Sequence, residues 1–211
     1  MVSICLGTAQ IGMNYGIANQ SGILSQTQVN DIIECSVSNN IMTFDTAQSY
    51  GNAELKLGNS FKNYDCKTIK VITKLDPSFS HLNKSKVIET IGNSIKRLNV
   101  KKIYGFLAHN IDTMCKNFFL DAVLEAQDKK LIEKFGVSVY SPEEALVALS
   151  NPEIDLLQIP FNMIDSRWIN DGIIDEAKSK NVELFFRSIF LQGFFFLNED
   201  QLVVKNMSWA I

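Results

Sequence analysis

The 211-residue sequence lacks the features of several functional classes. It has no excess of positive charge, since 20 Lys and Arg stand against 23 Asp and Glu, giving a net charge of -3. Nucleic-acid-binding domains normally carry a basic face, so a nucleic-acid partner is not expected. The charges are mixed along the chain, and no polybasic run predicts binding to an anionic membrane surface.

Long apolar runs and clustered metal ligands are absent too. The most apolar stretch, residues 184–197, is shorter than a transmembrane helix and contains Arg187. The N-terminus lacks a basic segment followed by a long apolar run, so a signal peptide is not predicted. The four cysteines are scattered without a Cys-x-x-Cys pair, which favours reduced thiols in a cytoplasmic protein. With two histidines and no cluster of ligands, neither a metal site nor metal-dependent hydrolysis is expected.

Short β-like runs alternate with helical patterns along the chain. Seven runs have strand character, at residues 3–6, 42–45, 69–74, 103–109, 134–138, 155–160 and 182–188. Helical periodicity occupies segments between them, at residues 27–38, 54–61, 85–98, 117–130, 142–150 and 172–180. A serine followed by Pro142 predicts where the fifth of these helices begins.

Strand–helix alternation without hairpin signals predicts parallel strands joined by crossover helices. Two α/β architectures fit: an open doubly wound sheet, or a (β/α)8 TIM-barrel type with about seven units and no eighth strand. The sequence GTAQIG after the first run lacks the Gly-x-Gly-x-x-Gly spacing that would favour the open sheet. Functional groups at the ends of several strands favour the barrel, as one domain over residues 1–211.

Four residues stand at or just after the ends of these runs. Asp45, Lys74 and His109 each close a run, and Tyr50 follows Asp45 after a short loop. In a barrel of parallel strands such positions gather at one mouth, where barrel enzymes keep their chemistry. A carboxylate, an ammonium, an imidazole and a phenol that meet there would form a proton-donating site.

The chain resembles the aldo-keto reductase family in segments that follow the family's order. These segments are LGTAQ at 6–10, FDTAQSYGNAE at 44–54, ITK at 72–74, LAHN at 107–110, GVS at 136–138, LQIPFN at 157–162 and FRSIFLQG at 186–193. The resemblance covers nearly the whole chain and is specific through its combination of Asp–Tyr, Lys and His elements. It implies a (β/α)8 barrel, a nicotinamide cofactor (NADPH or NADH), and reduction of a small carbonyl substrate.

The resemblance implies a role for each of the four residues. Tyr50 would be the general acid, Lys74 the charge that tunes it, Asp45 the partner of Lys74, and His109 a hydrogen-bond donor to the substrate oxygen. These roles suit a carbonyl that accepts hydride, because negative charge then develops on its oxygen. A phenol has an ordinary pKa of about 10, and a neighbouring ammonium is expected to lower it toward the working range.

Five further residues match positions that contact the cofactor in the family. Gln158 and Ser138 match contacts to the nicotinamide carboxamide. Arg187 stands where many members place a tyrosine that stacks on the nicotinamide ring, and a planar guanidinium can also stack. Ser188 and Gln192 are expected to reach the pyrophosphate or ribose.

The chain departs from the family after the seventh run, so we expect a C-terminally truncated member. The segment that would supply the eighth strand and grip the adenosine 2′-phosphate has no counterpart. Three arrangements could cover the open edges: pairing of the first and seventh strands, a plug formed by residues 198–211, or a homodimer that buries residues 194–196. We favour the homodimer. The rival function is a catalytically inactive binding or scaffold protein that cannot hold the cofactor.

Overall fold

A computed structural model describes residues 3–79 and 82–204, and in them seven parallel strands pair in chain order. The strands are β1 (Cys5–Gly7), β2 (Thr43–Asp45), β3 (Lys70–Lys74), β4 (Ile103–Ala108), β5 (Ile132–Ser138), β6 (Leu156–Pro160) and β7 (Glu183–Arg187). In the register, Asp45 lies opposite Ile72, and Ser138 lies opposite Gln158. The sheet forms a nearly closed barrel, which confirms the (β/α)8 type with an incomplete eighth unit.

Helices lie between the strands and after the last one. They are α1 (Ala9–Gly12), α2 (Gln26–Ser38), α3 (Ala53–Phe61), α4 (Lys84–Leu98), α5 (Ile111–Met114), α6 (Asn117–Asp128), α7 (Pro142–Leu149), α8 (Arg167–Asn170), α9 (Ile173–Ser179) and α10 (Glu199–Val204). The six predicted helices agree with α2, α3, α4, α6, α7 and α9 to within two residues at each end. Helices α1, α5 and α8 carry no predictive pattern, because one turn is too short to show a hydrophobic period.

Five strands agree with the predicted runs to within one residue at each end, and β1 and β5 differ by two residues at their starts. β1 pairs with β2 only from Cys5 onward, so it begins two residues later than the predicted run. β5 begins at Ile132, where it pairs with Ile103, rather than at residue 134. The exposed charge of Glu133 interrupts the apolar pattern on which the prediction depends. Neither difference moves a predicted functional side chain away from the end of its strand.

Side-chain caps fix the beginnings of α2, α4 and α7, whereas α3 and α6 have none among the described residues. The side chains and backbone amides of Ser25 and Gln28 form a reciprocal capping box before α2. Ser141 caps α7 and Pro142 occupies its first turn, which confirms the predicted start. A cap of this kind contributes about 1 kcal/mol, because it satisfies an amide that the helix leaves without a partner.

The apolar stripe predicted on α4 faces the core. Val87, Ile91 and Leu98 are buried, and Ile88 and Ile95 pack against the same core while partly exposed. Full burial of each such side chain contributes about 1.5–3 kcal/mol. Through this stripe α4 packs between α3 and α6. No helix among residues 3–79 and 82–204 has the length and apolar character needed to cross a membrane.

Burial falls at the two ends of the sheet. Every residue of β4 is buried, whereas β1 and β7 hold only half-buried or exposed residues. In the described part of the chain β1 and β7 do not pair with each other, so the pairing of the first and seventh strands considered above is not formed. The predicted plug at 198–211 lies partly outside the described residues, which end with α10.

Candidate active site

The ends of β2, β3 and β4 bring the four predicted catalytic residues together. Lys74 is only 1% exposed, and its Nζ donates to Asp45 Oδ1 at 2.6 Å and to the carbonyl of Thr46 at 2.8 Å. The same Nζ lies 5.4 Å from the centre of the Tyr50 ring. That ring meets His109 edge-on, with ring centroids 6.5 Å apart. A phenol and an imidazole therefore lie beside a buried ion pair.

The environment of Lys74 keeps its ammonium charged. Burial lowers the pKa of Lys74, because the ammonium loses its hydration. The negative charge of Asp45, its hydrogen bond and the Tyr50 phenol act in the opposite direction and prevail. The pKa of Lys74 therefore lies above its ordinary value.

The pKa of Tyr50 is raised, which corrects the expectation that Lys74 would bring it down toward neutral pH. Burial of the phenol raises this pKa and outweighs the opposing effect of Lys74, while Asp45 raises it further. Lys74 thus lowers the pKa of Tyr50, as expected, but by less than burial raises it. Tyr50 keeps its proton at neutral pH, as a general acid must before it donates.

His109 is half-buried and neutral at neutral pH. Burial lowers its pKa, and the charge of Lys74 lowers it further, against the smaller effect of the Leu75 backbone. Its Nδ1 is buried and has no hydrogen-bond partner within the described residues. An imidazole nitrogen in this state can donate to or accept from a bound group.

A cleft of about 810 Å³ opens between β1 and β7, where a closed barrel would hold its eighth strand. Its walls are β1, the loop after β1, and the segment after β7. Asp45, Tyr50 and Gln158 line it as well, so the proposed proton donor borders the cleft. Among the described residues of this lining, Asp45 and Arg187 carry the only charges.

Gln158 lies next to the catalytic cluster, whereas Ser138 lies deeper. The Nε2 of Gln158 donates to Asp45 Oδ1 at 3.0 Å, and its Oε1 is buried without a partner. A buried acceptor without a donor is destabilising, so a ligand N–H there would be favourable. Ser138 is 2% exposed beside Gln158 and does not line the cleft, so the structure does not bring it to the cleft surface.

Arg187, Ser188 and Gln192 all line the cleft on its β7 side. The Arg187 guanidinium lies 4.3 Å from the ring centroid of Tyr140 and donates to the carbonyl of Val139 at 3.3 Å. One face of the group predicted to stack on a nicotinamide is thus against Tyr140, a partner that the sequence did not indicate. Ser188 and Gln192 have positive φ angles of 61° and 58°, which are uncommon for residues other than glycine.

The opposite wall contains residues that sequence reasoning missed. Thr8, directly after β1, donates from Oγ1 to the carbonyl of Asp45 at 2.8 Å. The strand-end rule that singled out Lys74 could have found it. Cys5 lines the same wall, and burial followed by the charge of Asp45 raises its pKa to about 12. Tyr15 completes this set.

No group of three or more His, Cys, Asp and Glu side chains within residues 3–79 and 82–204 is placed to hold a metal ion. Beside the predicted catalytic residues the cleft is lined by a phenol, a carboxylate and an amide, and the buried Lys74 ammonium donates to that carboxylate from outside the lining. This donor set suits proton transfer and hydrogen bonding to a small organic ligand.

These groups lie at the carboxyl ends of parallel barrel strands, where barrel enzymes place their active sites. The chain belongs to the Aldo/keto reductase family, whose sequence profile matches residues 3–209. It is 25% identical over 173 residues to the aldo-keto reductase YhdN of Bacillus subtilis, a match that covers 77% of this chain and 52% of that protein. The chain therefore spans about half the length of this curated relative.

Solved structures share the fold. A thermostable aldo-keto reductase in complex with the inhibitor epalrestat matches with a TM-score of 0.77 and 22% identity, over 98% of this chain and 76% of that one. An aldo-keto reductase from Klebsiella pneumoniae in complex with NADPH matches with a TM-score of 0.72 and 17% identity, over 93% and 67% of the two chains. At these identities the likeness establishes the fold.

Proposed function

We propose that this chain is an NAD(P)H-dependent oxidoreductase that reduces an aldehyde or ketone to an alcohol. The observation that carries the proposal is the buried Lys74–Asp45 ion pair beside the Tyr50 ring, at the edge of a cleft large enough for a small ligand. Membership of the Aldo/keto reductase family supports it, as does the relative from K. pneumoniae that is in complex with NADPH.

The lining of the cleft fits a nicotinamide at one end. The unpartnered Oε1 of Gln158 would accept an N–H of the carboxamide, and Ser138 would support that contact only through Gln158. Ser188 and Gln192, whose backbone is held in a sparsely populated region, would contact the phosphates or ribose, and Arg187 would lie beside the ring. When bound, the reduced nicotinamide supplies a hydride for the carbonyl carbon.

The residues of the chain supply the proton. As the substrate oxygen gains negative charge, Tyr50 transfers the proton of its Oη to that oxygen, and the alcohol forms. Lys74 then stabilises the phenolate, and Asp45 keeps Lys74 protonated. His109, which meets the Tyr50 ring edge-on, would orient the substrate oxygen by a hydrogen bond.

The rival function has an observation in its favour. β1 and β7 each have a neighbour on one side only within the described residues, so the wall of the cleft is open. Arg187 is the one cationic side chain among the described residues of the lining, and it is already against Tyr140. The adenosine 2′-phosphate of NADPH thus finds little charge to bind. A catalytically inactive protein that uses the cleft for binding or scaffolding is the second candidate.

The first experiment is a titration of the purified chain with NADPH and NADH, read by quenching of intrinsic fluorescence. Saturable binding in the micromolar range supports the reductase, and carbonyl compounds are then screened for turnover. Tyr50→Phe should lower turnover by about a hundredfold or more and leave the cofactor Kd within about twofold. Tyr64→Phe, at a tyrosine that packs on the core outside the cleft, is the matched control.

The outcomes separate the two functions. Turnover that survives Tyr50→Phe would contradict the role of Tyr50 as general acid. A folded protein that binds neither cofactor at millimolar concentration would contradict the reductase and support the inactive binding protein.

A further inference from the structure

A second buried carboxylate lies outside the cleft, in the first turn of α3. Glu54 is 3% exposed and follows Tyr50 by four positions. Thr73 Oγ1 donates to its Oε1 at 2.7 Å, while Ser94 Oγ at 3.3 Å and Arg97 Nε at 2.7 Å donate to its Oε2. Burial of a carboxylate is costly unless it is paired and hydrogen-bonded, and Glu54 is both.

The partners of Glu54 join the helix that follows Tyr50 to the strand that carries Lys74. Thr73 precedes Lys74 in β3, so its bond to Glu54 ties the first turn of α3 to that strand. Arg97 belongs to α4, and its Nη2 forms a salt bridge with Glu54 at 2.6 Å. Three elements therefore meet at one carboxylate.

A second link runs through Gln48, in the loop that carries Tyr50. Its backbone amide donates to the carbonyl of Lys74 at 3.1 Å, and its Oε1 accepts from the amide of Asp76 at 3.1 Å. Its Nε2 donates to Ser94 Oγ at 2.9 Å. Ser94 is thus shared by both links, and the loop is held against β3 and α4 on both sides of Tyr50.

We propose that Glu54 is a positioning residue that sets the placement of Tyr50 relative to Lys74 through Thr73 and α4. The proposal rests on the proposed function. Glu54 does not line the cleft, so it acts through the elements that it joins rather than on substrate or cofactor. A displacement of about 1 Å caused far from the chemistry can cost about a hundredfold in rate, so this placement matters.

The test compares Glu54→Gln with the unaltered protein in carbonyl turnover. The amide keeps the size of the side chain and an acceptor for Thr73, but it loses the charge opposite Arg97. We expect kcat to fall about tenfold or more, with KM within about twofold. The pH dependence of kcat should shift as well, because the distance from Tyr50 to Lys74 changes. A loss of stability with unchanged kcat per folded molecule would overturn the proposal.

Asp155→Asn is the matched control. The Asp155 carboxylate accepts from Gln127 Nε2 at 2.9 Å and from the amide of Phe135 at 3.0 Å, just before β6 and at the opposite end of the strands. This variant should lose stability without a shift in the pH dependence of kcat. If Glu54→Gln does not fold, Thr73→Val removes one donor to the carboxylate and permits the same comparison.

A spectroscopic titration of the Tyr50 phenol separates this proposal from the proposed function. Four proteins are titrated: the unaltered protein, Tyr50→Phe, Glu54→Gln and the double variant. The titration of each protein that lacks Tyr50 is subtracted from that of its parent, which leaves the signal of Tyr50 with and without Glu54→Gln. If the folded protein has no carbonyl turnover, the proposed reductase function is contradicted, but the positioning role of Glu54 is not. A changed titration of Tyr50 in Glu54→Gln would still support the positioning role, and an unchanged titration would overturn it.

Discussion

Replacement of Asp45 by Asn should destabilise the protein by leaving a buried charge without its counterion. Lys74 is 1% exposed, and Asp45 is its ionic partner at 2.6 Å. Removal of one partner of a buried ion pair costs about 3–5 kcal/mol, because an uncompensated charge remains. Asn keeps an oxygen that accepts a hydrogen bond, and the Thr46 carbonyl still accepts from Lys74. We therefore expect the lower end of the range, about 3 kcal/mol.

The pH dependence of stability should also reverse. In the unaltered protein the folded pKa of Lys74 lies above its ordinary value of 10.5. The stabilising contribution of Lys74 is therefore complete below pH 10.5 and is lost as the pH rises through the folded pKa. In Asp45→Asn burial prevails and lowers the folded pKa, so the variant should regain stability as the pH rises toward 10.5.

Denaturant unfolding at about pH 7 and about pH 10 measures both effects. Glu125→Gln is the control, because Glu125 pairs with Lys84 and Lys129 on the exposed surface and its loss should lower stability much less than the loss of Asp45 does. A loss below about 1 kcal/mol in Asp45→Asn, the value of an exposed pair, would refute the reasoning. Parallel pH dependence in the two proteins would refute it as well.

Close packing, burial and exposure each give one further prediction. Gly12→Ala should slow turnover and cost about 1–3 kcal/mol in unfolding measurements, because an added Cβ would lie 1.8 Å from the Tyr50 carbonyl oxygen. Cys5, with a pKa of about 12, should resist maleimide at neutral pH while the exposed Cys35 reacts, as mass spectrometry will show. Sedimentation at micromolar concentration should show a homodimer, and Phe196→Ser, at a 69% exposed ring beside the cleft, should shift it toward monomer.

Each of these predictions has a control in the same chain. Gly92→Ala should not destabilise α4, since nothing lies within 4 Å of an added Cβ there. Cys115 is exposed and should react like the other exposed thiol. Ile169→Ser changes an exposed apolar side chain of α8, outside the cleft, and should leave the sedimentation coefficient unchanged. Unchanged turnover and stability in Gly12→Ala would contradict the close-packing prediction. Rapid labelling of Cys5 would contradict the burial prediction, and a monomeric unaltered protein would contradict the homodimer.

The meeting of Asp45, Tyr50, Lys74 and His109 could be predicted because it depends only on strand order and strand ends. Parallel strands in chain order place each carboxyl end at the same mouth, whatever the details of packing. Helix bounds were predictable as well, because periodic apolar residues and capping residues are signals that lie within the helix sequence itself. The short α1 escaped prediction although it packs against α3, because its role comes from contact rather than from pattern.

Properties that depend on distant packing could not be predicted. The direction of the Tyr50 pKa shift is the balance between burial and the charge of Lys74, and burial cannot be read from a sequence motif. The stacking of Arg187 on Tyr140 joins the last residue of β7 to a residue of the loop between β5 and α7. Glu54 stood within a recognised segment, but its partners lie on β3 and α4, and only the fold brings them together.

The proton-donating cluster and the cofactor side of the cleft depend on different parts of the barrel. Lys74 ends β3 and His109 directly follows β4, and both strands are buried along nearly their whole length. Arg187 and Ser188 stand at the end of β7, which has a neighbour on one side only within the described residues. Local opening requires the least free energy where burial is least. The cluster should therefore keep its geometry whether or not a partner closes the gap between β1 and β7, while cofactor affinity should depend on that closure. Weak cofactor binding would then indicate that the gap between β1 and β7 is open. Only the change in turnover caused by Tyr50→Phe would test whether Tyr50 donates the proton.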